Sequence, residues 1–164
     1  MAAKANSKRK SLPKKPFVID FHGHIVNPKV FELTQKNSLH SRIGLGKQTS
    51  LGGNKHSQMT MLHMTDMSSR FKELDKMGID MQVISPSLIH HNTEPMAPSK
   101  ALKIVQQVND SVAEAVAEKP DRLAGIGIVP LQDPKMSAKE LDRMIKKNGL
   151  RGVQISTIVR GAEL

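Results

Sequence analysis

The stretch that decides the fold is Phe17-Val18-Ile19-Asp20-Phe21-His22-Gly23-His24, which follows Pro16. Its apolar, β-branched first half is typical of a buried strand. On an extended strand, the two-residue spacing of Asp20, His22 and His24 places all three side chains on one face. Two neutral imidazoles there can converge on zinc or another divalent transition metal, while the carboxylate orients a ligand. The stretch predicts a metal site at the end of a first strand, unless the histidines are a chance pair on a loop.

Three helix-then-strand units follow, and the same residue types mark the ends of each helix. An Asp or Pro begins the helix, a Gly or Pro ends it, and a short apolar strand comes next. The first unit has a helix between Asp66 and Gly78 and a strand at 81–85. The second has a helix between Pro98 and Pro120 and a strand at 123–129. The third has a helix between Asp133 and Gly149 and a strand at 153–156. This βαβαβαβ order predicts a parallel sheet with right-handed crossovers.

Such a sheet fits either an open doubly wound fold or half of an eight-stranded barrel, and element spacing does not separate them. The position of His22 and His24 favours the barrel, whose enzymes build their sites at the carboxyl ends of strands. A complete barrel needs about 250 residues, whereas the sequence has 164. By length, residues 17–164 are therefore either part of a barrel or not a barrel. In a partial barrel, four residues would point inward without opposite strands: Val83, Ile126, Ile128 and Ile155.

Charge and composition limit the possible functions. Six of the 25 Lys and Arg residues lie within the first 15 residues, and the rest of the chain has 19 basic against 15 acidic residues. Residues 1–16 are thus predicted to be a basic disordered tail, with a localisation or nucleic-acid role as the alternative. The absence of Trp and Tyr argues against stacking on nucleic acid. No apolar run is long enough to predict a membrane span. The absence of Cys excludes disulfides and thiolate zinc, and makes the cytoplasm the expected compartment.

The remaining histidines are weaker candidates for a site. His90 and His91 follow the second predicted strand on the side of the site, so one of them is a candidate for lining the pocket, but a solvated loop is the favoured alternative. The region 38–63 is rich in Gly, Ser and Lys without clear periodicity, so it predicts a long loop. His40, His56 and His63 are therefore expected to be solvated loop residues.

The sequence also resembles a known family. Residues 19–24 are similar to the opening motif of the amidohydrolase superfamily, in which the two histidines of strand one bind the catalytic metal. Further blocks resemble the aminocarboxymuconate-semialdehyde and resorcylate decarboxylase branch in the same order: 71–86, 109–110, 120–125, 129–134 and 152–156. The resemblance covers most of 17–161. It implies a partial (β/α)8 TIM barrel, the first four βα units, over residues 17–164. It also implies a mononuclear divalent metal, usually zinc, held by His22 and His24.

The function implied by the resemblance is that of a decarboxylase, a C–C lyase acting on an aromatic or muconate-semialdehyde-type carboxylic acid. The family's third metal histidine, assisting histidine and aspartate come from strands five, six and eight, which lie beyond the four predicted here. No catalytic residue is therefore assigned within this chain, and the chain alone is expected to be inactive. The substrate-clasping arginines of the muconate-semialdehyde enzymes have no counterpart in 57–62.

Two rival functions remain open from the sequence. One is a metal-dependent hydrolase of the same superfamily that cleaves a C–O or C–N bond. The other is a catalytically inactive half-barrel that associates with itself. The expected partners are a small carboxylic acid together with either a second copy of the chain or a missing carboxyl-terminal half.

Overall fold

The computed structural model describes residues 15–34, 37, 55–87 and 92–163, with the side chains of 56, 57 and 162 left aside. Four strands form the main sheet: β1 Ile19–His24, β2 Met81–Ser85, β3 Leu123–Gly127 and β4 Gly152–Val153. A separate hairpin pairs β5 Ile158–Val159 with β6 Ala162–Glu163. In the described part of the chain, helices that connect or flank these strands are α1 Pro28–Thr34, α2 Lys55–Thr65, α3 Met67–Met77, α4 Pro98–Glu118 and α5 Pro134–Lys146. The predicted βαβαβαβ order is confirmed.

The main sheet has the order β1-β2-β3-β4, and every neighbouring pair is parallel. Its helix-facing side buries a core cluster of side chains from α3, α4, α5 and the strands: Leu74, Val112, Met144, Ile84 and Leu123. On the opposite side Phe21 is 76% exposed. The long crossover helices thus cover one face, as in a barrel wall, whereas a doubly wound sheet has helices on both.

The predicted caps of two helices are confirmed. The Asp66 carboxylate accepts hydrogen bonds from the N–H groups of Ser68 and Ser69 at the start of α3. Gly78 closes the same helix at φ +69°, a left-handed conformation that suits glycine. The Asp133 carboxylate accepts from the Met136 N–H at the start of α5. These caps explain why the Asp and Gly residues in the sequence correctly predict where both helices lie.

The predicted third strand extends two residues too far. β3 ends at Gly127, because the side chain of Asn109 forms hydrogen bonds with both backbone groups of Ile128. The Asn109 amide nitrogen donates to the Ile128 carbonyl at 2.9 Å, and the Ile128 N–H donates to the Asn109 side-chain oxygen at 2.9 Å. The prediction that Ile128 points into the barrel is wrong, since Ile128 is fully buried among residues of α4. β4 is correspondingly short, covering 152–153 instead of 153–156.

The predicted long loop is partly wrong. Residues 55–65 form α2, and the remainder of that region, 38–54, lies outside the described residues. All four glycines that suggested a loop precede Lys55. The helix itself has no apolar stripe, with Met59 and Leu62 both exposed, so hydrophobic periodicity could not reveal it. In the part of the chain that the structure describes, no helix is long and apolar enough to cross a membrane.

Candidate metal centre

The two motif histidines meet at the carboxyl end of β1. The Nε2 atoms of His22 and His24 lie 3.0 Å apart. Their rings meet edge to face, with an interplanar angle of 84°. This spacing is that of a hydrogen bond, in which one Nε2 carries the proton and the other accepts it. The convergence predicted from their spacing is thus present in the structure.

Ser85 at the end of β2 fixes one of these rings. Its hydroxyl oxygen lies 2.8 Å from Nδ1 of His24. This contact holds the ring so that Nε2 remains directed at His22, and it resembles the way hydrogen bonds orient metal-binding imidazoles. Burial is the main cause that lowers the pKa of His24, and the nearby His22 and Arg70 lower it further. His24 therefore favours the neutral form, which is the form that binds metals.

Asp20 does not share the face of the histidines, so this part of the prediction is wrong. Asp20 pairs with Gln82, but Gly23 pairs with Ile84, so three steps along β1 match two along β2. This bulge breaks the simple alternation of side chains. The Asp20 carboxylate accepts a hydrogen bond of 2.6 Å from the Gln82 amide instead of contacting an imidazole. The backbone N–H of His22, together with that amide, lowers the pKa of Asp20.

A buried arginine ties the first two strands to α3. Arg70 donates to the Gln82 side-chain oxygen at 2.5 Å and to the backbone carbonyl of His24. Gln82 thereby links Asp20 to Arg70. This network was not predicted from the sequence, although Arg70 lies four residues before Leu74 and so shares its buried helix face.

Beside the histidine pair lies a cavity of about 300 Å³, lined by residues of β1, α2 and α3. His63 of α2 is among them, and its Nε2 is buried with no hydrogen-bond partner among the described residues. The expectation that His63 is a solvated loop residue is therefore wrong. His40, His90 and His91 lie outside the described residues, as does the side chain of His56.

The described residues do not form a complete metal site. No group of three or more His, Cys, Asp or Glu side chains among them is arranged to hold a metal ion. The arrangement they do provide is a pair of imidazoles that converge, with one ring oriented by a hydroxyl. A pair of this kind can supply two ligands of an ion whose other ligands come from elsewhere.

The fold and the histidine pair define a class of protein, and comparison with known proteins identifies it. The amidohydrolase family model matches residues 19–164, so this chain belongs to the amidohydrolase family. Its parallel sheet with helices on one face is accordingly part of a (β/α)8 TIM barrel.

Among curated relatives, the chain is 31% identical over 159 residues to the 2-amino-3-carboxymuconate-6-semialdehyde decarboxylase of Dictyostelium discoideum, covering 89% of this chain and 42% of that protein. It is also 33% identical over 88 residues to the gamma-resorcylate decarboxylase of Polaromonas, covering 53% of this chain and 26% of that protein. The chain thus spans less than half the length of these relatives.

Solved structures give the same fold. A 5-carboxyvanillate decarboxylase from Novosphingobium aromaticivorans, with bound manganese, superposes with a TM-score of 0.74 at 21% identity, covering 89% of this chain and 43% of that one. The 2,6-dihydroxybenzoate decarboxylase from Rhizobium superposes with a TM-score of 0.68 at 22% identity, covering 90% and 41%. At these identities the likeness establishes the fold, and the activity needs a separate argument.

Proposed function

We propose that this chain is the amino-terminal half of a metal-dependent decarboxylase, a C–C lyase acting on an aromatic or muconate-semialdehyde-type carboxylic acid. His22 and His24 would bind its divalent metal, with zinc as the first choice. The observation that carries the proposal is the 3.0 Å convergence of their Nε2 atoms at the carboxyl end of β1, where barrel enzymes place their chemistry. The relatives named as decarboxylases of carboxylic acids support the reaction class.

The histidine pair fits a metal ion in both spacing and chemistry. Two nitrogens bound to one tetrahedral zinc ion at about 2.0–2.1 Å lie about 3.3 Å apart. The 3.0 Å between the Nε2 atoms is close to that separation, so a small movement of the rings would allow both to bind one ion. Neutral imidazole suits zinc, whereas manganese favours carboxylate, carbonyl and water ligands. Zinc is favoured here by ligand type, while the manganese in a solved neighbour makes that metal the main competitor.

The residues of this chain would prepare the site rather than complete the reaction. A bound divalent metal would supply Lewis acidity toward an oxygen of the substrate carboxylate or of a water molecule. Ser85 orients His24, and Arg70 holds the His24 carbonyl, so the end of β1 is fixed before a substrate arrives. Decarboxylation also requires a proton at the carbon that loses CO2. We assign that proton donor to the part of the barrel beyond the four strands described, which makes the isolated chain inactive.

Two alternatives remain in the proposal. A hydrolase of the same family would use the same histidine pair to activate water toward a C–O or C–N bond. An inactive half-barrel that associates with itself is favoured by a separate observation, the exposure of Phe21 at 76% and Ile155 at 54% on or beside the two outer strands. The cytoplasmic location stays a prediction from the absence of cysteine.

Metal binding tests the proposed site. Titration of the purified chain with zinc and with manganese, followed by calorimetry, should show one weak site per chain, because two imidazoles leave other coordination positions to water. His22→Ala should abolish most of the heat. His40→Ala, a histidine predicted from the sequence to lie in the loop, should retain it. Equal binding by His22→Ala would overturn the metal site.

Coexpression tests the reaction. The chain would be produced with the carboxyl-terminal part of the Dictyostelium relative that it does not cover, and the metal-loaded complex would be assayed on 2-amino-3-carboxymuconate-6-semialdehyde and on a phenyl ester. Release of CO2 that depends on His22 supports the decarboxylase. Release of acid from the ester alone supports the hydrolase. A stable complex inactive on both, beside an active complete relative, would contradict both enzymes and favour the inactive half-barrel.

A further inference from the structure

The apolar residues of α5 do not lie on the face that packs against the rest of the chain. Ala138, Leu141 and Ile145 follow one another at spacings of three and four residues, so they line one side of the helix. Leu141 is 38% exposed, Ile145 is 40% exposed, and Ala138 is also exposed. The buried residues of the helix are instead Glu140 and Met144. These three residues, the α5 stripe, therefore form an apolar surface that the described part of the chain leaves uncovered.

A contact with α4 fixes the direction in which the α5 stripe faces. Arg143 of α5 donates a 2.8 Å hydrogen bond to Asp110 of α4. Ile145 lies two residues beyond Arg143, which is more than half a helical turn, so the two side chains point to nearly opposite sides of α5. The α5 stripe thus faces away from α4. The strand that follows α5 is β4, an end strand of the main sheet, so the stripe lies at an open end of the helix layer.

A row of exposed charged residues borders the α5 stripe. Its members lie three or four residues apart and are Lys135, Lys139, Asp142 and Lys146. Lys146 lies two residues beyond the buried Met144, so the row faces away from the sheet. Asp142 pairs with Lys146 at 2.5 Å, whereas Lys135 and Lys139 form no ion pair with the described carboxylates. The outer border of the stripe is therefore basic.

Charge and direction separate the possible occupants of the α5 stripe. A second copy that met it through its own α5 would bring two rows of lysines together, which opposes binding. A flat anionic membrane would meet the outward row of lysines and leave the stripe at its side. A helix that lies alongside α5 covers the stripe and brings its own outer flank against the lysines. Carboxylates on that flank would complement the charge of the row.

We propose that the α5 stripe docks an amphipathic helix of another polypeptide, whose apolar stripe is flanked by carboxylates on its outer side. Leu141 and Ile145 supply the apolar contacts, and Lys135 and Lys139 face the carboxylates. The proposal rests on the proposed function only in placing that helix in the carboxyl-terminal part of the barrel, where it would be the next helix of the outer ring. None of the residues at the histidine pair takes part, so the docking surface and the metal site can fail separately.

Calorimetric titration of the chain with two synthetic peptides tests the proposal. Both peptides are amphipathic helices of about three heptads with a leucine stripe, and they differ only in the flanking residues, Glu in one and Lys in the other. The Glu-flanked peptide should bind saturably, and the Lys-flanked peptide should bind more weakly. Ile145→Ser should weaken binding of the Glu-flanked peptide by about tenfold, because apolar contact area is lost. Leu33→Ser, at a position that is 60% exposed on α1, should bind it like the unaltered chain.

Reversal of one charge tests the basic border. Lys139→Glu should weaken binding of the Glu-flanked peptide and strengthen that of the Lys-flanked peptide, each by about threefold, since exposed ion pairs contribute modestly. Lys72→Glu, at an exposed position on α3, should change neither affinity. The proposal would be overturned by a Glu-flanked peptide that does not bind, by equal binding of both peptides, or by binding that Ile145→Ser leaves intact.

A single introduced thiol reports what covers the α5 stripe. The chain has no Cys, so Ile145→Cys reacts with a maleimide at that position alone. The Glu-flanked peptide should slow this reaction. Protection that appears on raising the chain concentration alone would assign the stripe to a second copy, and protection by phosphatidylserine vesicles but not by the peptide would assign it to a membrane. Either outcome would overturn the proposal. A coexpressed complex in which the thiol is protected but no CO2 is released would support the docking surface and contradict the proposed function alone.

Discussion

Asn109 pairs with Ile128 as a neighbouring strand would, through one donated and one accepted hydrogen bond of 2.9 Å each. The same amide nitrogen also lies 2.8 Å from a carboxylate oxygen of Glu140, which is 1% exposed. A helix side chain thus ends β3 by pairing with the first residue after the strand. Gly127 is required beside it, because a Cβ there would lie 2.6 Å from the Asn109 oxygen.

Asn109→Leu should destabilise the fold by about 2–4 kcal/mol, since the side chain keeps its size but leaves the Ile128 N–H and C=O buried without partners. Chemical denaturation gives the free energy of unfolding. Asn148→Leu is the matched control: Asn148 is only partly buried and bonds side chains that have other partners, so its loss should cost about 1 kcal/mol or less. Equal losses in both variants would contradict the assigned role of Asn109.

Glu140→Gln should also be costly, by about 2–4 kcal/mol. The side chain of Glu140 is fully buried and accepts two hydrogen bonds from Arg143, at 2.8 and 2.9 Å. This carboxylate is the main cause that raises the pKa of Arg143 above its usual range. An amide would turn a donor toward the guanidinium. Asp142→Asn on the same helix, which breaks an exposed pair with Lys146, should change the unfolding free energy by about 0.5 kcal/mol or less.

Much of this fold could be predicted from the sequence because its signals are local. Caps such as Asp66, the terminal Gly78 and the apolar stripe of α4 are each encoded within one element. The order of parallel strands follows from their alternation with helices. The end of β3 could not be predicted, because it depends on Asn109, nineteen residues away in the sequence.

The candidate site also combines features that the local sequence predicts with features that depend on packing between elements. The convergence of His22 and His24 follows from their spacing on one strand. The displacement of Asp20 depends on a register shift against β2, and the burial of His63 on a helix without an apolar stripe. Neither feature is visible in the residues concerned, since each arises from packing between elements.

Gly23→Ala should disturb the metal site without altering either histidine. A Cβ at position 23 would lie 2.6 Å from Cδ of Gln82, so that side chain would have to move away from Asp20 and Arg70. Because Arg70 also holds the His24 carbonyl, we expect zinc affinity to fall about tenfold. Calorimetry measures the loss. Gly152→Ala, whose Cβ would meet only Ile126 at 3.3 Å, should leave zinc affinity unchanged.

Ser85→Ala should weaken metal binding by about tenfold, the lower end of the effect of removing a group that orients a metal-binding histidine. The variant removes the 2.8 Å contact with Nδ1 of His24 and leaves both Nε2 ligands in place. Ser137→Ala removes a hydroxyl bonded to the Pro130 carbonyl and serves as the control. If Ser85→Ala bound zinc as tightly as the unaltered chain, Ser85 would have no orienting role.

The isolated chain should associate with itself. β1 and β4 are the end strands of the sheet, and end strands carry backbone groups that can pair with another chain. Phe21, 76% exposed on β1, adds an apolar surface where a complete barrel would have opposite strands. Light scattering after size exclusion should therefore show a dimer or larger species at micromolar concentration. Raising the salt concentration should favour it, because the net charge of +10 makes the copies repel one another.

Phe21→Lys tests whether the β1 surface drives this association. The added charge should shift the chain toward the monomer, because burying an unpaired ammonium group in an interface is costly. Leu33→Lys is the matched control, since Leu33 is 60% exposed but lies on α1 instead of the sheet. It should leave the mass unchanged. A monomeric unaltered chain across this concentration range, or one that released CO2 from 2,6-dihydroxybenzoate with metal added, would show that four strands suffice for a complete unit.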